Sequence, residues 1–138
     1  MRIDRRYLAL PVSEYPPLDS FAKTNAAELL RRELSNPRYK VKAIALGANT
    51  DPYQPIERHH RITRRILEIL SEFGHPVGIV TKSALVTRDI DILQRMAKRN
   101  LVKVALSVTT LDPKLARLMV PRAATPARRL ETLRQLAA

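Results

Sequence analysis

From Lys23 onward, short apolar runs alternate with amphipathic segments along the chain. The apolar runs occupy residues 41–46, 77–83 and 101–108, and each precedes a segment whose apolar residues recur at helical spacing. An alternation of strands and helices predicts parallel strands joined by right-handed crossovers. The runs are almost entirely apolar, which is typical of strands that are covered on both faces. We therefore expect an α/β fold of about three to four parallel β/α units.

Residues that favour helix starts and stops delimit the helical segments. Asn25 is placed to cap a helix over 26–34, and Gly74 is placed to end the helix that follows the first strand. Asp112 and Thr125 each precede a proline, which is the usual arrangement of a capping residue before the first helical position. The helix before Gly74 should turn one apolar stripe inward, made of Ile62, Ile66, Ile69, Leu70 and Phe73.

The first twenty residues show no clear period, and the two prolines of "SEYPPLD" interrupt any helix there. We expect an irregular segment over 1–20 and a β/α domain over 21–138. The apolar part of the N-terminus is too short for a secretory leader, and no run approaches the length of a membrane span. A cytoplasmic location and no membrane partner are the expectation.

Polar side chains are concentrated in the loops that follow the predicted strands. In parallel α/β folds these loops share one edge of the sheet, and ligands bind there. The loops at the opposite edge, "NPRYK", "FGHPV" and "KRN", are short and resemble plain turns. The candidate binding residues are therefore Asn49, Thr50, Asp51, Tyr53, Gln54 and Glu57 in the first loop, Thr81, Lys82, Ser83 and Arg88 in the second, and Ser107, Thr109, Thr110, Asp112 and Arg122 in the third.

Each candidate also has a purely structural interpretation. Lys82 could donate to a carboxylate or phosphate, or could extend from the strand end into solvent. Asp51 and Glu57 could form an acid/base pair, but an Asp before Pro more often stabilises a turn. His59 and His60 are adjacent and lack a partner at helical spacing, so we expect them on a solvent-facing helix start and not in a metal site.

The formal net charge is +12, from 25 basic and 13 acidic residues. Such a charge would attract nucleic acid through its phosphates, with an affinity that falls as salt rises. A solvated arginine-rich surface is the alternative interpretation. Only six aromatic residues, four Tyr and two Phe, are present, so a stacking platform for single strands is not evident.

The chain contains no cysteine. This excludes disulfides, thiolate zinc sites, cysteine nucleophiles and iron–sulfur clusters held by the chain's own thiolates. The phosphate-binding glycine motifs of nucleotide-binding proteins are also missing, and the chain has only three glycines.

Five segments together resemble one protein family: "NAAELLRREL", "IALGANTDPYQPIE", "VTKSALVTRDIDIL", "VALSVTTLD" and "PRAATPARRLETLRQLA". In this order and at these distances they resemble the radical S-adenosylmethionine proteins related to spore photoproduct lyase, often labelled DNA repair photolyases. The resemblance begins near Phe21 and extends to the C-terminus. It implies a partial β/α barrel in which a [4Fe–4S] cluster reductively cleaves S-adenosylmethionine to a radical that abstracts hydrogen from a substrate.

The resemblance also implies roles for individual residues. Asn49 and Thr50 lie where the family's second-strand loop approaches the methionine amino group. Lys82 is similar to a lysine that contacts the cofactor's carboxylate, with Ser83 beside it. Ser107 is similar to a hydroxyl near the same ligand, and Thr109 follows it on the same strand face. Asp51, Tyr53 and Gln54 belong to the "NTDPYQPIE" loop, which is similar to a characteristic loop of the family.

The sequence departs from the family pattern where the iron–sulfur cluster would bind. The family's three-cysteine motif near the start has no counterpart here. We therefore expect a fragment or a degenerate member that is inactive alone, because side chains cannot replace the cofactor's one-electron chemistry. A nucleic-acid-binding domain and an anionic-metabolite-binding domain remain the alternatives. An open sheet would also expose strand edges, from which we expect self-association.

Overall fold

The computed structural model describes residues 23–121 and 123–137, and the predicted irregular segment 1–20 lies outside them. The described residues contain one three-stranded sheet, with strands β1 (Ile44–Leu46), β2 (Val77–Thr81) and β3 (Val102–Leu106). The strands are parallel and ordered β1–β2–β3, with Val77 opposite both Ile44 and Val102. The predicted parallel α/β arrangement is confirmed for these three strands.

Helices fill the segments between and after the strands. Their bounds are α1 Ala26–Leu34, α2 Glu57–His60, α3 Ile62–Glu72, a 3₁₀ helix Ala84–Asp89, α4 Ile90–Ala97, α5 Pro113–Met119 and α6 Pro126–Ala137. The Asp112 side chain accepts hydrogen bonds from the backbone N–H groups of Lys114 (2.8 Å) and Leu115 (3.2 Å), so its predicted capping role is confirmed. Gly74 has φ +62° at the end of α3, also as predicted.

Some predicted boundaries differ from the structure. The first strand was expected over 41–46 but pairs with β2 only from Ile44 to Leu46. Asn25 occupies the cap position of α1, yet its side chain makes no capping hydrogen bond. The segment after Ser83 begins as a 3₁₀ helix, because the Ser83 hydroxyl oxygen accepts the Leu85 N–H at 3.2 Å, and becomes α-helical only at Ile90.

The helix that follows the first strand is also interrupted. Arg61 adopts a left-handed φ of +47° and separates α2 from α3. The buried carboxylate of Glu57 then accepts the backbone N–H of Thr63 at 2.8 Å, which satisfies one of the unpaired donors at the start of α3. The Thr63 hydroxyl donates to the Pro52 carbonyl oxygen, so α3 is tied to the preceding loop.

One face of the sheet packs on the helices and forms the hydrophobic core. The buried core residues come mainly from α3, β2, the 3₁₀ helix and α4, and comprise Tyr53, Leu67, Leu70, Val77, Ile79, Val86, Ile92, Leu93 and Met96. Within the predicted stripe of α3, Ile69 and Leu70 are buried as expected. Phe73 is instead 38% exposed and lies 5.7 Å from the Arg31 guanidinium, because α3 ends before its side chain reaches the core.

The other face of the sheet is uncovered by the described residues. The β2 residues that alternate to it are Gly78 and Val80, and Val80 is 46% exposed although β2 is the central strand. A side chain added at Gly78 would meet no atom within 4 Å. The residues paired with Gly78 and Val80 on the neighbouring strands are Ala45, Lys103 and Ala105, and all three are exposed. Parallel sheets are normally covered on both faces, so this surface is an available contact surface.

We propose that the chain self-associates through this face. The self-association through open strand edges that the sequence predicts stays a separate prediction. Val80→Lys should lower the average mass observed by light scattering across a concentration series, because a charge would be buried in the contact. Leu133→Lys, at an exposed position of α6, is the matched control and should leave the mass unchanged. A wild-type chain that stays monomeric at every concentration in physiological salt would refute the proposal.

Candidate functional site

The carboxyl ends of the three strands meet at one edge of the sheet, where the predicted polar loops begin. The Ser107 backbone N–H donates to the Thr81 carbonyl oxygen at 2.9 Å, which joins the ends of β3 and β2. The Lys82 backbone N–H donates to the Asp51 carboxylate at 2.7 Å, which joins the end of β2 to the first loop. The predicted convergence of residues 47–57, Lys82 and Ser107 at a common edge is confirmed.

Gly47 allows the first loop to cross the end of β2. Its φ is +98°, a conformation that side chains disfavour, and a Cβ atom there would overlap the carbonyl oxygen of Val80. Glycine is therefore required at this position both for the backbone conformation and for the close approach.

Asp51 fixes the crossing loop in place. One carboxylate oxygen accepts the Tyr53 N–H at 2.9 Å and the Thr81 hydroxyl at 2.7 Å. The second oxygen accepts the Lys82 N–H. Hydrogen bonds to a charged acceptor are roughly twice as strong as neutral ones. Because both oxygens are engaged, the structure favours the turn-stabilising interpretation of Asp51 over an acid/base role.

Glu57 belongs to a buried ionic network behind the loop. Arg88 contacts the Glu57 carboxylate at 3.2 Å and the Asp89 carboxylate at 2.9 Å, and Arg64 also contacts Asp89 at 3.1 Å. The Asp89 side chain is fully buried, so its charge is balanced only through these guanidinium groups. The hydrogen bond that Arg88 donates to Asp89 raises the pKa of Arg88. Glu57 is therefore a structural residue here and not half of an acid/base pair.

A cavity of about 900 Å³ lies beside these contacts. It is bounded by the first loop, by the segment that follows β2 and by the connection between α5 and α6. Five of the nine residues predicted from the family resemblance line it: Asp51, Tyr53, Gln54, Lys82 and Ser83. The volume falls within the usual range of small-molecule sites, roughly 300–1,000 Å³.

The other four predicted residues do not line this cavity. Asn49 and Thr50 are exposed on the preceding part of the loop. The Ser107 carbonyl oxygen accepts a hydrogen bond from Arg129 at 2.8 Å, and Thr109 is exposed with φ +71°. Ligand contacts by these four residues stay a prediction, as do those of the five that line the cavity.

The charged side chains of the cavity are mostly basic. Arg58, Lys82 and Arg128 line it and make no ion pair with any residue of 23–121 or 123–137. Arg88 also lines it but is paired with Glu57 and Asp89. The cavity therefore presents three cations without an acidic partner in the described part of the chain.

Tyr53 is the aromatic residue of the cavity wall and is only 2% exposed. Its hydroxyl group has no hydrogen-bond partner among the described residues, and the Arg88 guanidinium lies 5.9 Å from its ring. Burial, followed by the negative charge of Asp89, raises the pKa of Tyr53. The phenol therefore remains neutral at ordinary pH and acts as a wall of the site.

Arg129 is a structural residue of this edge that sequence reasoning missed. It is 1% exposed and donates to the carbonyl oxygens of Ala124 (2.8 Å), Ser107 (2.8 Å) and Val108 (2.9 Å). These bonds attach the start of α6 to the end of β3. No local signal distinguishes Arg129 from the arginine beside it, since both occur in one polar helix.

The residues present do not fit an iron–sulfur cluster. The sequence contains no cysteine, and the described residues contain no group of three or more metal-ligating side chains. His59 and His60 are exposed on α2, as predicted, whereas the buried His75 bonds the Tyr39 hydroxyl at 2.9 Å. The chemistry of Lys82 suits a methionine carboxylate, because its ammonium group lies at a fixed strand end without an acidic partner in 23–121 or 123–137.

The fold and cavity define an α/β protein with a candidate ligand site at the carboxyl edge of a parallel sheet. Residues 15–138 match the model of the Radical SAM superfamily, and the chain belongs to that superfamily. The expected family is thus confirmed at this level. No solved structure matches the chain at a significant level.

The chain is also similar to several curated proteins that are described as uncharacterized. One from Mycobacterium tuberculosis is 39% identical over 108 residues, which are 78% of this chain and 32% of the relative. One from Acidianus two-tailed virus is 37% identical over 98 residues, which are 71% of this chain and 31% of the relative. One from Methanocaldococcus jannaschii is 28% identical over 114 residues, which are 83% of this chain and 40% of the relative. This chain spans between 31% and 40% of the length of these relatives.

None of the helices in the described ranges combines the length and apolarity that a membrane crossing needs.

Gly47→Ala should lower the free energy of unfolding by about 2 kcal/mol or more, through the left-handed backbone and the overlap with Val80. Gly78→Ala is the matched control, because it adds the same methyl group in open space, and its stability should be unchanged or slightly higher. Urea denaturation of both variants measures the difference. Equal stabilities would show that the loop does not cross β2 as described.

Proposed function

We propose that this chain binds S-adenosylmethionine in the cavity at the carboxyl edge of its sheet, with Lys82 contacting the methionine carboxylate. In this proposal residues 21–138 form a partial β/α barrel related to that of spore photoproduct lyase and other DNA repair photolyases. The single observation that supports it most is the position of Lys82 at the end of the central strand, in a superfamily defined by this cofactor. Lys82 has no ion-pair partner among the residues that the structure describes.

The surroundings of Lys82 support a binding role. The hydrogen bond from its backbone N–H to Asp51 fixes the point from which the side chain extends. The side chain is half-buried and lines the cavity, so a carboxylate there would be partly desolvated and held more strongly than on an open surface. Gln54 lines the same wall and offers an amide group, whereas Tyr53 closes the wall with a ring that is only 2% exposed.

The proposal includes binding but no radical chemistry by this chain alone. An iron–sulfur cluster supplies the electron that cleaves S-adenosylmethionine in the superfamily, and no thiolate of this chain can hold one. The residues described here would therefore bind and orient the cofactor. Any hydrogen abstraction, from DNA or another substrate, would need cluster ligands from elsewhere.

Lys82→Gln should weaken S-adenosylmethionine binding about tenfold in isothermal titration calorimetry, because one charge-assisted hydrogen bond to the carboxylate is lost. Lys98→Gln is the control, since it removes the same charge from an exposed position at the end of α4. S-adenosylhomocysteine, which keeps the carboxylate, should show the same dependence on Lys82.

Two results would refute the proposal. Equal heats of S-adenosylmethionine binding by the wild type and by Lys82→Gln would show that Lys82 does not take part in the site. Reductive cleavage of S-adenosylmethionine by the purified chain would contradict the proposal that this chain alone carries out no radical chemistry.

A second candidate function is nucleic-acid binding, favoured by the net charge of +12. Many of the basic residues are exposed, and neutralising backbone phosphates with them would release counterions. In this interpretation the basic surface binds the phosphate backbone without reading the base sequence.

For this second function, a duplex DNA titration should show affinity falling at least tenfold between about 50 mM and about 200 mM salt. Fluorescence anisotropy with two unrelated DNA sequences measures this affinity, and both sequences should show the same affinity and the same dependence on salt. An affinity that does not change with salt would eliminate the candidate.

A further inference from the structure

The cavity contains more positive charge than S-adenosylmethionine can balance. Arg58 on α2, Lys82 after β2 and Arg128 on α6 line it without an ion-pair partner in the described ranges. The acid that lines the cavity, Asp51, accepts its hydrogen bonds from neutral donors and keeps its negative charge, so it offsets one of these three cations and leaves two. Glu57 and Asp89, behind the wall, are paired with Arg88.

S-adenosylmethionine carries one carboxylate, one ammonium group and one sulfonium group, so its net charge is positive. Pairing Lys82 with the carboxylate would leave Arg58 and Arg128 unbalanced. The sulfonium would then add a further positive charge to the same cavity. Like charges in a partly enclosed space repel each other more strongly than in water. A second ligand with negative charge would remove this imbalance.

We infer that Arg58 and Arg128 bind the phosphate group of a small phosphorylated ligand, beside S-adenosylmethionine in the same cavity. The S-adenosylmethionine part of this inference rests on the proposed function, whereas the phosphate part rests on the two arginines alone. The planar guanidinium fork matches the geometry of phosphate oxygens, and two arginines balance a phosphate dianion. The volume of about 900 Å³ lies at the upper end of single-ligand sites, which leaves room for a second group.

The wall of the cavity favours a small phosphorylated molecule over a nucleic-acid strand. Proteins that bind single strands stack bases on accessible aromatic side chains. The aromatic residue of this wall is Tyr53, which is 2% exposed and packed in the core. Apart from Arg88, which is paired with Glu57 and Asp89, the cavity has two guanidinium groups and no exposed ring, which suits one phosphate group and not a stacked strand.

The two ligands should assist each other. A phosphate dianion near the sulfonium group provides an attractive charge pair, so each ligand should raise the affinity for the other by the same factor. With Arg58 and Arg128 neutralised by phosphate, S-adenosylmethionine would also enter a cavity of lower positive charge.

The test uses pyrophosphate and inorganic phosphate as probes in isothermal titration calorimetry, at constant ionic strength maintained with chloride. The wild type should bind pyrophosphate saturably with one site per chain. Arg58→Gln and Arg128→Gln should each weaken this binding about tenfold, through loss of charge-assisted hydrogen bonds. Arg32→Gln, an equal charge change at an exposed position on α1, should leave it unchanged. A thermal melt of each variant verifies folding, and both cavity arginines are exposed enough that folding should be retained.

The outcomes separate this inference from the proposed function. The phosphate site would be overturned if Arg32→Gln weakened pyrophosphate binding as much as the cavity variants do. It would also be overturned if neither Arg58→Gln nor Arg128→Gln weakened that binding. S-adenosylmethionine binding without pyrophosphate binding would also overturn it while leaving the proposed function intact. Pyrophosphate binding that depends on the two arginines, without S-adenosylmethionine binding, would uphold the site and refute the proposed function. Displacement of pyrophosphate by single-stranded DNA at equal phosphate concentration would identify a nucleic-acid site instead.

Discussion

The Asp51 carboxylate is the interaction on which the geometry of the cavity depends. It accepts one hydrogen bond from its own loop and two from the end of β2. The loop and the strand end form adjacent walls of the cavity, so this one carboxylate sets their separation. Gly47 makes the contact attainable, because the chain must pass directly over the Val80 carbonyl oxygen before it reaches Asp51. Of the two interpretations that the sequence allows for Asp51, the contacts thus favour the structural one, which was also the more common for an aspartate before proline.

Local and periodic signals predicted the framework well. The three parallel strands follow from alternating apolar and amphipathic segments, and the cap at Asp112 follows from its proline neighbour. The break at Arg61 could not be predicted, because arginine is a good helix former and the left-handed turn depends on Glu57 and Thr63. Contacts across the chain set such features, and residue type alone does not encode them.

The candidate site was predictable in position but only partly in its members. Parallel topology places every strand-end loop at one edge, which is why Lys82 and Asp51 meet. Which side chains of a loop face the cavity depends on backbone turns that the sequence does not show. Asn49 lies on the exposed part of its loop, and Thr109 has a left-handed backbone. Arg58 and Arg128 were missed as lining residues because basic residues at helix starts are usually solvated.

The lack of cysteine and the excess of positive charge are connected by electrostatics. Thiolate ligands bring negative charge to an iron–sulfur site, and that charge can offset a sulfonium group and nearby guanidinium groups. This chain has no thiolate, and three cations of its cavity have no acidic partner among the described residues. Asp51 offsets one of these cations, and bound anions, such as the carboxylate and phosphate proposed above, would offset the others. The electrostatics of this cavity thus favour, in our proposal, negatively charged ligand groups beside the three-stranded parallel sheet.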